Sequence, residues 1–221
     1  MAPKYIDPAA EERRLHPIYD AIDSRNYKQA IKLADQLLKK QPGSHMVRVL
    51  KAVSLDRIGR RSEAIALADT VRKEVPESEH VMQTLALVYK AAGCLTEMQE
   101  MYEAALQNNP TNVELMRNLF LSLVRAADFT KQQQMAMKLY KVTKDEQYIY
   151  WSATSNVLQA LSQDDPEQRA KLLSLSEAIV KRQLNANPQQ AKEECILLML
   201  DIFERQSRPW AALELLQGPL G

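Results

Sequence analysis

Side chains capable of chemistry are few in this chain, and they lie far apart. Three histidines, His16, His45 and His80, are scattered, and none has another histidine or a cysteine at the spacing of metal ligands. The two cysteines, Cys94 and Cys195, stand in separate helix-like segments, a pattern that disfavours a disulfide framework and predicts reduced, buried thiols. The sequence therefore predicts no metal site.

Motifs for nucleotide binding and covalent catalysis are also missing. The chain contains neither a glycine-rich phosphate loop (GxGxxG or GxxxxGK[ST]) nor a GxSxG nucleophile elbow. Adjacent carboxylates occur four times, each near an expected helix start, where negative charge interacts favourably with the helix dipole. The pairs are Glu11-Glu12, Asp145-Glu146, Asp164-Asp165 and Glu193-Glu194. We therefore expect no catalytic residue, no bound cofactor and no enzyme activity of the chain's own.

Basic residues provide the clearest candidate for a binding surface. Residues 1–75 hold 15 Lys and Arg against 10 Asp and Glu, although the whole chain carries a formal net charge of +1. A basic cluster at a turn between helices could contact RNA phosphates, and such binding weakens as salt rises. No aromatic residues alternate with these cations, so base stacking is not indicated, and a solvated edge of the fold is the alternative. The candidate contact residues are Lys39, Lys40, Arg57, Arg60 and Arg61.

Helices must position these residues. The chain has only five glycines, and it lacks β-branched runs with the alternation of strands. Apolar residues instead recur at helical spacing, as in Ala30, Ile31, Ala34, Leu37 and Leu38. The sequence therefore predicts an all-α fold.

Prolines divide the helical sequence into units of equal length. Pro42, Pro76 and Pro110 follow one another at intervals of 34 residues, and each marks the end of a unit because proline disrupts a helix interior. The same step relates Ala34, Ala68, Tyr102 and Ala136. A 34-residue period with small residues at helix crossings and a terminal proline is typical of tetratricopeptide (TPR) repeats. Gly59 and Gly93, also 34 residues apart, suit the left-handed position at which the first helix of a pair ends.

We therefore predict a TPR-like helical-repeat solenoid, a right-handed superhelix of antiparallel helix pairs. Residues 1–11 are predicted to form a tail, 12–144 four helix pairs of 34-residue period, and 145–221 two more divergent pairs. The polar stretch 162–167 is expected to hold much of an insertion as a longer turn that leads into a helix start. Near residue 221, an apolar stripe without a covering segment predicts that the repeats continue in a longer protein. The stripe consists of Trp210, Leu213, Leu216 and Leu220.

The densest aromatic group comprises Tyr148, Tyr150 and Trp151. On a helix, Tyr148 and Trp151 share one face, whereas Tyr150 points away from it. We expect these rings to pack between repeats, and docking of a partner is the alternative.

Composition and targeting signals limit the compartments in which the protein can act. No stretch reaches the roughly 18 consecutive apolar residues of a membrane span. The first residues lack the apolar core of a secretory signal. With a net charge near zero, the chain as a whole has no strong field to attract polyanions. We therefore expect a soluble, cytoplasmic protein with neither a membrane nor DNA as its partner.

Several stretches carry a more specific resemblance than the repeat itself. They are RRLHPIYD at 13–20, ADQLLKK at 34–40, VLKA at 49–52, LYK at 139–141, YWS at 150–152 and GPLG at 218–221. Together they resemble the amino-terminal region of the auxiliary subunit of the NatB N-terminal acetyltransferase. The resemblance extends over nearly the whole chain, and it is most specific in the first 40 or so residues.

The resemblance implies a non-catalytic scaffold. The auxiliary subunit of that family is a long TPR-like superhelix, several times the length of this chain, that wraps a small catalytic subunit of the GNAT fold and helps to place the complex on ribosomes. NatB acetylates nascent chains that begin with Met-Asp, Met-Glu, Met-Asn or Met-Gln. The catalytic and acetyl-CoA residues belong to the other subunit, so the resemblance assigns none to this chain. By the same resemblance, the basic residues named above are candidates for contact with the ribosome.

A stand-alone TPR adaptor, which binds a peptide or helix of a partner in its concave groove, is the alternative. Adaptors that bind a chaperone's terminal carboxylate use cations at inner positions of the first helices. The corresponding positions, counted from the repeat register, are Leu15, Tyr19, Val49, Val53, Gln83, Leu87, Arg117 and Leu121. Only Arg117 is positive, which disfavours a chaperone-binding adaptor.

Overall fold

Helices account for all the regular secondary structure in the part of the chain that the computed structural model describes, residues 8–186 and 193–217, with side chains from residue 12 onward. Twelve helices lie in these residues, and no strand. They divide into two compact units, residues 1–110 and 111–221. This boundary falls between the third and fourth helix pairs, whereas the division at 144 in the sequence marks the end of the 34-residue period. The prediction of an all-α, TPR-type fold is confirmed.

The first unit contains three helix pairs. Their helices are α1 (Pro8–Asp23), α2 (Tyr27–Lys40), α3 (His45–Arg57), α4 (Arg61–Lys73), α5 (Glu79–Ala92) and α6 (Leu95–Asn108). Helix α1 begins at Pro8, inside the range 1–11 assigned above to a tail, and residues 1–7 lie outside the described part. Pro42, Pro76 and Pro110 lie between helices, each directly after a pair, as the repeat spacing predicts.

The second unit contains three further pairs. Their helices are α7 (Val113–Ala126), α8 (Phe129–Thr143), α9 (Gln147–Leu161), α10 (Pro166–Ala186), α11 (Glu193–Arg205) and α12 (Pro209–Gln217). Residues 162–165 form a turn and a helix starts at Pro166, within the expected stretch 162–167, but the turn is short and does not hold much of the insertion. Helix α10 takes up the extra residues instead. It has 21 residues, because Pro166 and the cap Asp165 start it well and mostly strong helix formers follow.

Turns inside the pairs share a left-handed residue at a constant step. The backbone φ is positive at Arg25 (58°), Gly59 (84°), Gly93 (77°) and Ala127 (54°), and each residue lies 34 positions after the one before. Glycine adopts this conformation without steric cost, whereas a side chain at Cβ disfavours it. The sequence prediction for Gly59 and Gly93 is confirmed, and the same backbone position exists at Arg25 and Ala127, where no glycine signals it.

Small residues lie where the helices of the first, second and fourth pairs approach one another. Ala30 in α2, Ala64 in α4 and Ala136 in α8 are completely buried, as are Ala34 and Ala68. In the first unit, α2 packs against α1 and α3, and α4 packs against α3 and α5. Because alanine has no side chain beyond Cβ, it allows the backbones of the crossing helices to approach closely. This is the physical basis of the repeating alanines in the sequence.

Candidate functional site

The five candidate contact residues all lie on the surface of the first unit. Lys39 and Lys40 are exposed in the last turn of α2. Arg57 is exposed at the end of α3, and Arg60 and Arg61 are exposed at the start of α4. Each is therefore accessible to a partner.

The structure does not bring these residues into one patch. Lys39 and Lys40 lie next to the start of α3, whereas Arg57 lies at its other end. Helix α3 has 13 residues, which at about 1.5 Å per residue separates the two groups by roughly 20 Å. Arg57, Arg60 and Arg61 form an arginine edge at the α3–α4 turn, and the two lysines belong to a different surface.

Nearby carboxylates partly neutralise the arginine edge. Arg60 Nε donates to Glu63 Oε1 at 2.6 Å, and Arg61 Nε donates to Asp56 Oδ1 at 3.3 Å. The hydrogen bond from Arg60 lowers the pKa of Glu63 and raises the pKa of Arg60. Exposed ion pairs of this kind contribute little to stability, so a phosphate could replace the carboxylates.

A second basic surface lies along α2, and sequence analysis recognised only its end. Every exposed residue of α2 is a lysine or glutamine: Lys28, Gln29, Lys32, Gln36, Lys39 and Lys40. Lys28, Lys32 and Lys39 fall within an arc of about 40° on the helix. Asp35, the acidic residue of α2, pairs with Lys51 of α3 at 2.6 Å, and the four lysines make no ion pair within the described residues. We call these four the lysine face; their spacing of 4, 7 and 1 residues is the signal that could have identified it.

Charged side chains also connect the helices of the first unit. The Arg48 guanidinium donates to both carboxylate oxygens of Glu74, at 2.8 and 2.7 Å, and His45 Nε2 lies 2.6 Å from Glu74 Oε2. These bonds, from Arg48 first and then from His45, lower the pKa of Glu74 to about 2. They attach the start of α3 to the residue that ends α4. The adjacent Val75 has a φ of 47°, an unusual conformation for a β-branched residue.

A buried tyrosine joins α4 to α5. Tyr89 is completely buried, and its hydroxyl donates to Asp69 Oδ1 at 2.8 Å. Burial, followed by this bond to a carboxylate, raises the pKa of Tyr89. Arg72, one turn along α4 from Asp69, donates to Glu100 Oε2 of α6 at 2.6 Å. These bonds connect three helices of the first unit, so we assign the network a structural role.

The aromatic group of the second unit packs as the helical spacing predicts. Tyr148 and Trp151 of α9 both meet the ring of Phe120 of α7 edge-on, with centroids 6.0 and 5.5 Å apart. Tyr150 faces the opposite way and packs against the apolar cluster formed by α9, α10 and α11. Arg117 Nε donates to the Tyr148 hydroxyl at 3.1 Å, so the one positive inner position is already bonded.

Other inner positions of the register differ in exposure. Leu15 and Val49 are buried in the core, which is contrary to their assignment to the inner surface. Leu87 and Leu121 are exposed. At Leu87 and Leu121 the exposed side chains are thus apolar, where a chaperone-binding adaptor carries cations.

Within the described residues, no cluster of histidine, cysteine and carboxylate side chains has the composition of a metal site. His16 lies 3.0 Å from Asp20, and His45 bonds to Glu74. Cys195 is buried and Cys94 half-buried, and desolvation raises the pKa of both thiols. The helices that the structure describes are too short or too polar to cross a bilayer.

Comparison with known proteins shows the family to which the chain belongs. The model of the family described as "Psidin, N-terminal TPR repeats region" matches residues 12–221. The chain belongs to this family. The match includes the lysine face, the arginine edge and all of the described side chains.

Curated relatives of this chain are much longer than it is. The chain is 35% identical over 211 residues to the human protein "N-alpha-acetyltransferase 25, NatB auxiliary subunit", a match that covers 95% of this chain and 22% of the human protein. It is 35% identical to the corresponding auxiliary subunit of Arabidopsis thaliana, covering 95% of this chain and 20% of that protein. The "Phagocyte signaling-impaired protein" of Drosophila pseudoobscura is 33% identical, with coverage of 100% and 23%. The chain thus spans about a fifth of the length of these relatives.

Solved structures resemble the chain in fold. One is the structure of Naa15/Naa10 bound to HypK-THB, with a TM-score of 0.53 and 18% identity, covering 93% of this chain and 36% of the matched chain. Another is a tetratricopeptide repeat protein from Parabacteroides merdae, with a TM-score of 0.54 and 15% identity, covering 92% and 76%. At these identities the likeness establishes the TPR fold.

Proposed function

We propose that this chain is a non-catalytic scaffold segment of a NatB auxiliary subunit. The identity of 35% over 95% of the chain with the human auxiliary subunit carries this proposal. A repeat architecture suits the role, because successive helix pairs present a long surface to other proteins. In this role, acetyl-CoA and the catalytic residues belong to a separate subunit of the GNAT fold.

The reaction that the scaffold supports is acetylation of nascent chains in the cytoplasm. The substrates of the complex begin with Met-Asp, Met-Glu, Met-Asn or Met-Gln. The part of this chain is to hold the catalytic subunit and to help keep it at the ribosome, where those amino termini emerge.

Exposed apolar side chains on α12 form a surface that a further repeat or a partner protein could cover. On α12, Trp210 is 76% exposed, and Leu213 and Leu216 follow it on the same face with about half of their surface exposed. Contiguous exposed apolar residues of this size mark protein–protein surfaces. Leu220, the fourth residue of the predicted stripe, lies outside the described residues.

The two basic surfaces of the first unit are the proposed ribosome contacts. Each surface carries exposed cations, which can bind the phosphates of ribosomal RNA without contacts to its bases. Co-sedimentation with ribosomes over a range of salt concentrations tests each surface separately. One variant replaces Arg57, Arg60 and Arg61 with glutamate, and another replaces the four residues of the lysine face.

Either variant should weaken ribosome association, and its salt dependence should become less steep, because fewer counterions are released on binding. Glutamate at the exposed residues Lys90, Lys138 and Lys181 matches the net charge of the arginine variant, and the addition of Lys141→Glu matches that of the lysine variant with four glutamates. Equal loss in the matched control would attribute the effect to charge alone. Unchanged association in both test variants would disprove the assigned contacts and leave the scaffold role intact.

Acetylation activity of the endogenous complex tests the scaffold role itself. The protein is immunoprecipitated with an antibody to residues 1–40, and the precipitate is assayed with acetyl-CoA and a Met-Asp peptide. A peptide that begins with serine is the control. We expect acetylation selective for Met-Asp. An inactive precipitate with a native polypeptide near the 25.2 kDa of this chain would refute the proposal in favour of a stand-alone adaptor.

A further inference from the structure

The turn between α9 and α10 carries an exposed serine that the scaffold role does not use. Ser162 directly follows α9, and residues 162–165 form the turn before α10 begins. Its hydroxyl donates to the carbonyl oxygens of Leu158 and Gln159, at 3.1 and 3.0 Å. Both acceptors belong to the last turn of α9, so the hydroxyl is held only by its own helix end and stays accessible from solvent.

Three carboxylates follow this serine closely. Asp164, Asp165 and Glu167 stand two, three and five positions after Ser162, and all three are exposed. Asp165 caps α10 by accepting from the backbone N–H of Glu167 at 2.9 Å. Serine kinases whose substrate grooves are basic select sequences of this kind through charge complementarity.

An arginine on the same turn points independently to an anion. Arg169 Nη2 donates to the carbonyl oxygen of Gln163, the residue after Ser162, at 2.7 Å. Within the described residues, Arg169 makes no ion pair, although carboxylates lie nearby in the sequence. A guanidinium binds a phosphate through charge-assisted bonds, which are stronger than its bond to a neutral carbonyl. The turn therefore holds both a hydroxyl that a kinase can phosphorylate and a cation that can bind the resulting phosphate.

We propose that Ser162 is a phosphorylation site of an acid-directed serine/threonine kinase and that Arg169 binds the phosphate. In the reaction, the Ser162 hydroxyl oxygen bonds to the γ-phosphorus of a nucleoside triphosphate. The bond from that phosphorus to the β,γ-bridging oxygen breaks, the nucleoside diphosphate leaves, and the hydroxyl proton passes to the kinase's base. The modified turn gains a charge of about −1.5 to −2 near neutral pH, and Arg169 then links the end of α9 to the first turns of α10. This inference does not depend on the NatB role.

Other hydroxyls with similar sequences are less suitable because of their structure. Ser174 has Glu177 three positions later, but it lies in the middle of α10. Thr143 precedes acidic residues as well, but it is half-buried, and its hydroxyl donates to the Leu139 carbonyl at 2.8 Å. A kinase binds its substrate in an extended conformation, which at Ser174 requires unfolding of the helix. The fold therefore distinguishes Ser162 from Ser174 and Thr143. Thr111, an exposed turn residue, has a single nearby carboxylate, Glu114, where Ser162 has three.

Phosphorylation of the whole chain by casein kinase 2 with labelled ATP tests the site. We expect a phosphate at Ser162, located by peptide mass spectrometry, that is lost in Ser162→Ala and retained in Ser174→Ala and Thr111→Ala. Replacing Asp164 and Asp165 by asparagine should lower the initial rate about tenfold, since two of the three carboxylates that select the serine are removed. No incorporation at Ser162, or incorporation that persists in Ser162→Ala, would overturn the assignment.

Phosphorus NMR of the modified chain tests the role of Arg169. The phosphate of a phosphoserine titrates with a pKa of about 6, and a neighbouring guanidinium lowers that pKa. Arg169→Gln should therefore raise the phosphate pKa by about one unit. Lys171→Gln, which removes another exposed cation of α10 that pairs with Glu167, should leave it unchanged. Equal values in the unsubstituted chain and Arg169→Gln would contradict the assignment of Arg169.

Discussion

Replacing Ala64 by arginine tests the helix crossing on which the repeat depends. Ala64 is completely buried on the face of α4, and that helix packs against α3 and α5. Arginine is nearly as good a helix former as alanine, with a difference of a few tenths of a kcal/mol. The cost therefore comes from the core, where the new guanidinium would have no partner. Ala66, two residues further on, is exposed on the opposite face of the same helix and provides a matched control.

The size of the effect follows from burial. A buried charge without a partner costs about 3–5 kcal/mol, out of the roughly 5–15 kcal/mol that stabilises a typical domain. The melting temperature should therefore fall by about 10 °C or more. Ala66→Arg should stay within about 0.5 kcal/mol of the parent, as surface substitutions do. Ala64→Leu, which only overfills the crossing, should cost about 1–3 kcal/mol.

Urea denaturation followed by circular dichroism measures these differences, with all three variants and the parent compared under one condition. Ala64→Leu keeps the experiment informative if Ala64→Arg does not fold. The expected order of stability is parent and Ala66→Arg, then Ala64→Leu, then Ala64→Arg. If Ala64→Arg and Ala66→Arg unfold at the same urea concentration, the assignment of Ala64 to a helix crossing is refuted.

Three further predictions concern the turn, the ion pairs and the buried tyrosine. Ala127→Gly should stabilise the protein by about 0.5–1 kcal/mol, since the backbone of Ala127 is left-handed. Ala126→Gly, inside α7, should destabilise it by about 1 kcal/mol. In thermal denaturation, the first variant should raise the melting temperature and the second should lower it. Folding lowers the pKa of Glu74 from an ordinary 4.5 to about 2, so the stability that its ionised form gives the protein is present above pH 4.5 and is lost as the pH falls toward 2. Glu74→Gln removes this dependence, so the midpoint of urea unfolding should change less between pH 4.5 and pH 2 in the variant than in the parent. Tyr89→Phe keeps the buried ring but removes the bond to Asp69, and should cost about 1–2 kcal/mol in urea unfolding, whereas an unchanged midpoint would contradict this role.

Part of the candidate site could be found from sequence, and part could not. The exposed cations at both ends of α3 were identifiable from their types and from the predicted helix ends. Lys28 and Lys32 were also accessible to sequence reasoning, because a helix places residues four and eleven apart on one face. Which of these cations form ion pairs could not be found from the sequence. Which carboxylate reaches which cation depends on side chains of neighbouring helices, as with Asp35 and Lys51.

The insertion in the second unit shows where local signals mislead. The polar residues at 162–167 predicted a longer turn that leads into a helix start, since polar and proline-rich stretches usually form loops. The helix does start there, at Pro166, where its missing N–H has no cost, but the turn is short and the 21 residues of α10 hold the extra length. The same local chemistry is compatible with both outcomes, and the packing of α10 against α9 and α11 favours the helix.

The sequence by itself determined the helices, their 34-residue period and the left-handed turns at Gly59 and Gly93. These features depend on proline, glycine and apolar spacing, whose effects act within a few residues along the chain. Only the tertiary structure decided that the lysine face and the arginine edge are separate surfaces. It alone decided that Glu74 joins two helices and that Arg169 bonds to the carbonyl oxygen of Gln163, the residue after Ser162. Contacts of this kind join side chains from different helices or from across a turn, so their geometry exists only once the chain has folded.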